Sequence, residues 1–257
     1  MKNKVKEALE NQKVTIGTWL QSGPYPAIAE ILANAGYDWI GIDCEHSDID
    51  VAGFTSLARG MHGRGAVPLA RVRENDTLAI RQMLDAGAQG VIVPLVNTAE
   101  EARYAVAAAK YPPAGIRGFC FARMNNFGLN FDDYAKNANA NIAVVVMIES
   151  KTAVDNIDAI LSVEGVDGVF IGPYDMSGSY GITGQTAHPL IQEACRKIVQ
   201  ACGKRSKSAG LHLVRPTPDT IMKTIDDGFT FIALGVDTVF LNEAAAGALQ
   251  VARRYLP

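Results

Sequence analysis

Two acids stand directly behind the two most apolar runs of this chain. Glu149 closes Ile142-Ala-Val-Val-Val-Met-Ile148, and Asp175 follows Gly168-Val-Phe-Ile-Gly-Pro-Tyr174. A third run, Tyr37-Asp-Trp-Ile-Gly-Ile42, leads into Asp43-Cys44-Glu45-His46, and a fourth ends at Arg71. Short apolar runs of this kind read as buried strands. Parallel α/β enzymes carry their chemistry at the C-terminal ends of such strands. Two carboxylates there, without a Cys or His cluster, favour a hard divalent cation such as Mg2+ or Mn2+, with water and a chelating anion completing its shell. Singly, each acid has a plainer reading, because both stand where a helix begins and either could cap it. As a pair on one rim they point to a metal.

The same rim offers further candidates. An imidazole at such a position suits a general base, so His46 could act as one, directly or through water. Arg71 could meet developing oxyanion charge, although taken alone the plainer reading, a salt bridge to Glu45 or Glu74, prevails. Gly172-Pro173 opens a turn whose backbone N–H groups suit a carboxylate or phosphate. Trp19 and Leu213 also fall at strand ends. The other histidines read as structural: His62 near a Gly-rich helix terminus, His188 at a helix start, His212 inside a strand. Asp85 reads locally as a helix-end residue beside a Gly cap. No lysine stands at a strand end, which disfavours an imine mechanism, and there is no Ser–His–Asp order.

These residues must be held by a repeating framework. Strand patterns fall at 14–20, 39–43, 67–72, 90–93, 142–149, 168–172, 211–214 and 229–235. Helical patterns intervene, including 27–35, 76–86, 99–109 and 153–161, with 239–255 as the last. Eight alternating units predict an α/β fold, a single (β/α)8 barrel over residues 1–257, rather than an open sheet. The stretch 111–141, rich in Gly, Pro and Asn, is longer than a usual connection and reads as a functional or interface excursion. The last helix is apolar on most faces and predicts burial, either against another subunit or between its barrel neighbours.

Composition narrows the class. The chain has 257 residues, 48% apolar and 20% charged, with a net charge of −3 and no basic stripe, so nucleic acid is not an expected partner. Four cysteines form no CxxC pair, which fits a reducing compartment. There is no signal-like N-terminus and no run of membrane-spanning length, so a cytoplasmic protein without membrane partners is expected.

At these residues the chain resembles the HpcH/HpaI aldolase/citrate lyase family of the phosphoenolpyruvate/pyruvate barrel superfamily. The matching stretches are Asp43-Cys-Glu-His46, Leu84-Asp-Ala-Gly-Ala-Gln-Gly-Val-Ile-Val-Pro94, Tyr111-Pro-Pro-Ala-Gly-Ile-Arg-Gly118, Ile148-Glu149, Val163-Glu-Gly-Val-Asp-Gly-Val-Phe-Ile-Gly-Pro173 and Asp175. The resemblance implies a class II pyruvate aldolase that needs Mg2+, Mn2+ or Co2+ and no organic cofactor. It would act on pyruvate or another 2-oxo acid and an aldehyde. By resemblance, Glu149 and Asp175 are the metal ligands, His46 the base and Arg71 the holder of the pyruvyl oxygen. Asp85 would reach His46 from a neighbouring subunit, Gly172–Asp175 would hold the carboxylate, and Trp19 and Leu213 would line the pocket. A homo-oligomer is implied, a hexamer built as a trimer of dimers that exchange the last helix. Three departures stand out: Met147 where the family usually has Gln, Tyr174 and Met176 in place of smaller or commoner residues, and the aromatic loop Gly118-Phe-Cys-Phe-Ala-Arg-Met124. They keep open a citrate-synthase-like or acyl-CoA lyase reaction, or a non-catalytic keto-acid binder.

Overall fold

The strands are largely apolar because both of their faces are covered. In the computed structural model, which describes residues 2–256, eight parallel strands close on themselves in sequence order. They are β1 (Thr15–Leu20), β2 (Trp39–Asp43), β3 (Val67–Arg71), β4 (Gly90–Val93), β5 (Ala143–Ile148), β6 (Gly168–Ile171), β7 (Ser208–Leu213) and β8 (Phe231–Val236). The expected (β/α)8 barrel is therefore the fold. Outward residues such as Ile40, Val144, Val146 and Ile232 pack under the helices. Inward residues form a second core of Trp39, Leu69, Ile92, Val145, Met147, Phe170 and Phe231, so the barrel is filled rather than open.

That inner core rests on size complementarity between neighbouring strands. A Cβ at Gly17 would lie 2.1 Å from the ring of Trp39, and one at Gly41 would lie 2.8 Å from the ring of Trp19. Two bulky indoles thus fit because the adjacent strand offers only backbone. Trp39 stacks on Phe231 at 4.1 Å, and Trp19 meets Phe170 edge-on at 5.5 Å.

Helices follow the strands. They are α2 (Pro26–Asn34), α3 (Val51–Gly60), α4 (Thr77–Ala86), α5 (Ala99–Ala109), α6 (Phe131–Asn141), α7 (Lys151–Asp155), α8 (Ile157–Leu161), α9 (Pro173–Ser179), α10 (Pro189–Lys204), α11 (Pro218–Asp226) and α12 (Asp237–Arg253). Ahead of them, α1 (Lys4–Glu10) plugs the N-terminal mouth with Val5 and Leu9. Its Lys6 makes a buried 2.5 Å ion pair with Asp167. The stretch 111–141 is less irregular than its composition predicts, since α6 occupies its last third. Only Ala138 of that helix is buried, so no apolar period marks it. The expected helix over 153–161 is broken at Asn156 into α7 and α8.

The last helix does not lie between barrel neighbours. Every described residue from Leu241 onward is exposed, Leu241, Leu249 and Val251 among them. Its root is anchored, because Asp237 accepts from the amides of Gln21 and Ser22 at 3.0 and 3.1 Å. Met222 and Ile225 on α11 and Ile31 on α2 are exposed too. Among the described residues, no helix is long and apolar enough to cross a membrane.

Gly17→Ala forces a methyl against Trp39. It should lower stability by about 1–3 kcal/mol through overpacking, read as a lower urea midpoint at unchanged m-value.

Candidate active site

The rim is organised around Asp43, the last residue of β2, which is fully buried. Asp43 and Arg71 are register partners on β2 and β3. Arg71 donates through Nε to Asp43 Oδ1 at 2.9 Å and through Nη2 to Oδ2 at 2.5 Å. A planar fork meeting a carboxylate in this way is both strong and orienting. Asp43 Oδ1 also accepts the amides of Glu45 and His46, each at 3.1 Å. One buried acid therefore fixes the guanidinium and shapes the loop that carries the histidine. Burial works against charge on Arg71, but the Asp43 pairing outweighs it and holds the guanidinium protonated. Of the salt-bridge partners weighed from sequence, Glu45 is present at 3.4 Å and Glu74 is not a partner.

Glu149 and Asp175 come from adjacent strands, as expected. β5 and β6 are paired, and the amide of Gly172 donates to the carbonyl of Ile148 at 3.1 Å. Glu149 is not a helix cap; Ser150 fills that role, bonding the amide of Ala153. Glu149 Oε2 instead accepts from the amide of Leu95 at 3.1 Å. Leu95 holds a left-handed backbone, φ 54°, a strained conformation for a leucine. Asp175 lies in the first turn of α9, whose N-cap is Gly172.

Electrostatically these groups form one cluster. Burial pushes the Glu149 carboxyl up to about 7; the Leu95 amide opposes this, and the charges of Glu45 and Asp175 add to it. Glu45 is raised as well, first by burial, with Arg71 and His46 opposing and Asp43 and Asp175 adding. His46 stands at the mouth, two-thirds exposed, with Nε2 3.6 Å from Glu45 Oε2. Trp19 lies beneath Arg71, whose guanidinium sits 4.8 Å from the indole centroid.

Whether this donor set suits a hard cation can be judged from its shape. Its donors are carboxylate oxygens, and among the described residues no three His, Cys, Asp or Glu side chains already form a cage. A Cβ at Gly172 would fall 2.8 Å from Glu149 Oε1, so the glycine keeps a space beside that oxygen clear. Glu45 Oε2 is buried without a hydrogen-bond partner. A two-carboxylate site with room for water and a chelating ligand fits Mg2+ or Mn2+.

A family model described as HpcH/HpaI aldolase/citrate lyase matches residues 15–244. The chain belongs to this family. A hydroxypyruvate/pyruvate aldolase of Roseobacter denitrificans is 40% identical over 93% of both chains. A 5-keto-4-deoxy-D-glucarate aldolase of Klebsiella pneumoniae is 38% identical over 91% of both. A crystal structure of an HpcH/HpaI aldolase/citrate lyase family protein from Burkholderia cenocepacia superposes with a TM-score of 0.93 at 31% identity, covering 98% of this chain and 99% of that one.

Within this HpcH/HpaI chain, most residues singled out from sequence meet at one rim: His46, Arg71, Glu149, Gly172, Pro173 and Asp175 beside Trp19. Leu213, half-buried, ends β7 on the same side. His212 is structural here, with Nε2 2.9 Å from the Gly235 carbonyl and burial lowering its proton affinity. Met147 is inward and buried, part of the barrel core. Asp85 is not at this rim in its own chain. It sits in the last turn of α4, ahead of the left-handed Gly87, at the opposite end of the barrel. Asp43 was visible as a strand-end residue but had no assigned role, and Glu45 was weighed only as a salt-bridge partner of Arg71; the missed signal was an acid and an arginine ending neighbouring strands.

A raised folded-state carboxyl binds its proton more tightly than the unfolded chain does. The contribution of Glu149 to stability is therefore greatest at low pH and declines as pH rises from the ordinary 4.5 to about 7. In chelator-treated protein, Glu149→Gln should flatten the fall in unfolding free energy across that window, by as much as about 3 kcal/mol. Denaturant titrations at several pH values measure it.

Proposed function

We propose that this chain is a divalent-metal-dependent, class II pyruvate aldolase, a carbon–carbon lyase acting on 4-hydroxy-2-oxo acids. The observation that carries this reading is the convergence of Glu149 and Asp175 from adjacent strands with Arg71, Glu45 and His46 at one rim. Glu149 and Asp175 would hold Mg2+, Mn2+ or Co2+. Bound there, such a cation supplies Lewis-acid polarisation of a chelating 2-oxo acid.

The chain's own groups do the rest. Asp43 occupies two N–H groups of Arg71, leaving the remaining donors of the fork for the 2-oxo oxygen of the substrate. In cleavage, His46 takes the proton of the 4-hydroxyl, directly or through water. The C3–C4 bond then breaks, its electron pair moves towards the 2-oxo oxygen, and Arg71 meets the charge that develops there. An aldehyde leaves, and a proton delivered to C3 gives pyruvate. Gly172 and Pro173 at the start of α9 border the carboxylate end, while Trp19 and Leu213 wall the donor pocket. The aldolases among the relatives support pyruvate or hydroxypyruvate as donor.

The site is open to solvent in one chain, where Glu45, 3.6 Å away, is too far to orient His46 by a hydrogen bond. We assign that role to Asp85 of a neighbouring copy. The exposed apolar residues of α12, with those of α11 and α2, support an oligomer in which α12 packs on a second copy, with a hexamer the state expected. Four free cysteines support a cytoplasmic location.

Two measurements test the proposal. In D2O with pyruvate and Mg2+, Mn2+ or Co2+, proton NMR should follow deuterium entering the methyl group. Chelator should stop the exchange, and His46→Asn should lower kcat for cleavage of a 4-hydroxy-2-oxo acid by roughly 10^2- to 10^4-fold; no exchange with any of the three metals overturns the reading. Ending the chain after Asn242 should lower the particle mass by light scattering to that of a smaller species. An undiminished assembly would refute the role of α12.

A further inference from the structure

Arg117 is the most deeply buried cation of the chain, and the chemistry described so far does not use it. Its side chain is entirely inaccessible. Nη2 donates to Asp85 Oδ1 at 2.7 Å and Nη1 to the hydroxyl of Tyr134 at 3.3 Å, while Nε has no partner. The guanidinium lies 4.6 Å from the ring centroid of Tyr111 and 5.8 Å from that of Tyr134. Its backbone is fixed as well, by its amide on the carbonyl of Lys110 at 2.9 Å. Burying a cation this deeply costs several kcal/mol unless it is well paired. Among the described residues its only carboxylate partner is Asp85, which is itself partly exposed.

That arrangement is one-sided. One oxygen of Asp85 is locked inward by Arg117, and the carboxylate still reaches solvent at the rim of a cavity of about 370 Å3 that Arg59, Gln82, Phe121 and Arg123 also line. The Cys120 thiol leans on the same carboxylate and is pushed up to about 11, first by burial and then by Asp85, so it stays neutral. Tyr111 and Tyr134 are raised by burial and stay neutral too. The charged groups facing Asp85 are then Arg117 from within and, further off, Arg81, Arg59 and Arg123.

We propose that Arg117 is a positioning residue for the aldolase reaction: it clamps one oxygen of Asp85 and aims the carboxylate outward, so that its other oxygen orients His46 of a neighbouring copy. This rests on the assignment of Asp85 to that histidine. Two aromatic faces and a buried fork hold the aspartate more rigidly than a surface turn could. Its effect reaches the substrate only through the Asp85–His46 pair.

Arg117→Met removes the inward cation, so protonation of the Asp85–His46 pair becomes easier. The acid limb of kcat/KM should move to higher pH by on the order of one unit. kcat should fall roughly 10- to 100-fold, the scale on which orienting partners act, while KM for the 2-oxo acid changes little. Arg117→Lys, which keeps charge but not the fork, should return the limb towards the parent while kcat stays low. If Arg117→Met does not fold, Tyr134→Phe carries the test: it removes one bond to the guanidinium and should shift the limb in the same direction by a smaller amount. Folded Arg117 variants with the parent pH profile and kcat, and only a lower Tm, overturn the inference. Asp85→Asn separates the two claims. If it retains parental kcat and profile, the assignment of Asp85 fails; if it loses them while folded Arg117 variants do not, Arg117 alone is refuted.

Discussion

A single buried carboxylate, Asp43, sets the rim. It ends β2 beside Arg71 at the end of β3, and the parallel register brings the two side chains to the same face. Four donors converge on it: two from the guanidinium and the amides of Glu45 and His46. Removing its charge would leave the guanidinium of Arg71 with the looser contact to Glu45 at 3.4 Å and free the loop that bears the histidine, a loss on the several-kcal/mol scale of a broken buried pair. The rest of the site is arranged against that fixed point, with Glu149 and Asp175 on the neighbouring arc of strands and Trp19 as the floor under the guanidinium.

Below the rim the barrel works by a different rule. Its inner layer is filled by large aromatics that fit because adjacent strands carry glycine where the rings lie. A rigid, dry interior under the site lets short strands hold side chains to within the tolerance that chemistry needs. Met147 belongs to this layer. Two residues before Glu149, it continues the apolar packing of the barrel towards the rim.

Much of this was legible in the amino-acid order, and the exceptions have physical causes. β2, β4 and α5 were read to the residue, because unbroken apolar runs and the Thr98 capping box mark their limits. β7 starts three residues earlier than its pattern. Ser208, Ala209 and Gly210 carry no strand signal of their own and are held by ladders to β6 and β8. α6 escaped because one buried alanine gives no period. The acids at the ends of β5 and β6 were visible because strand-end position is a one-dimensional property. The clamp of Arg117 on Asp85 was not, since it joins residues 32 positions apart through a segment without periodicity.

The chain has two tryptophans, and their placement divides the labour of light absorption. Trp39 is sealed in the barrel against Phe231, with its ring 6.3 Å from that of Trp19 above it. Trp19 lies within 4.8 Å of the one guanidinium that charge rearrangement at the rim must disturb. An indole's emission responds to the field across its ring, so Trp19 gives the protein a built-in optical gauge of its own mouth.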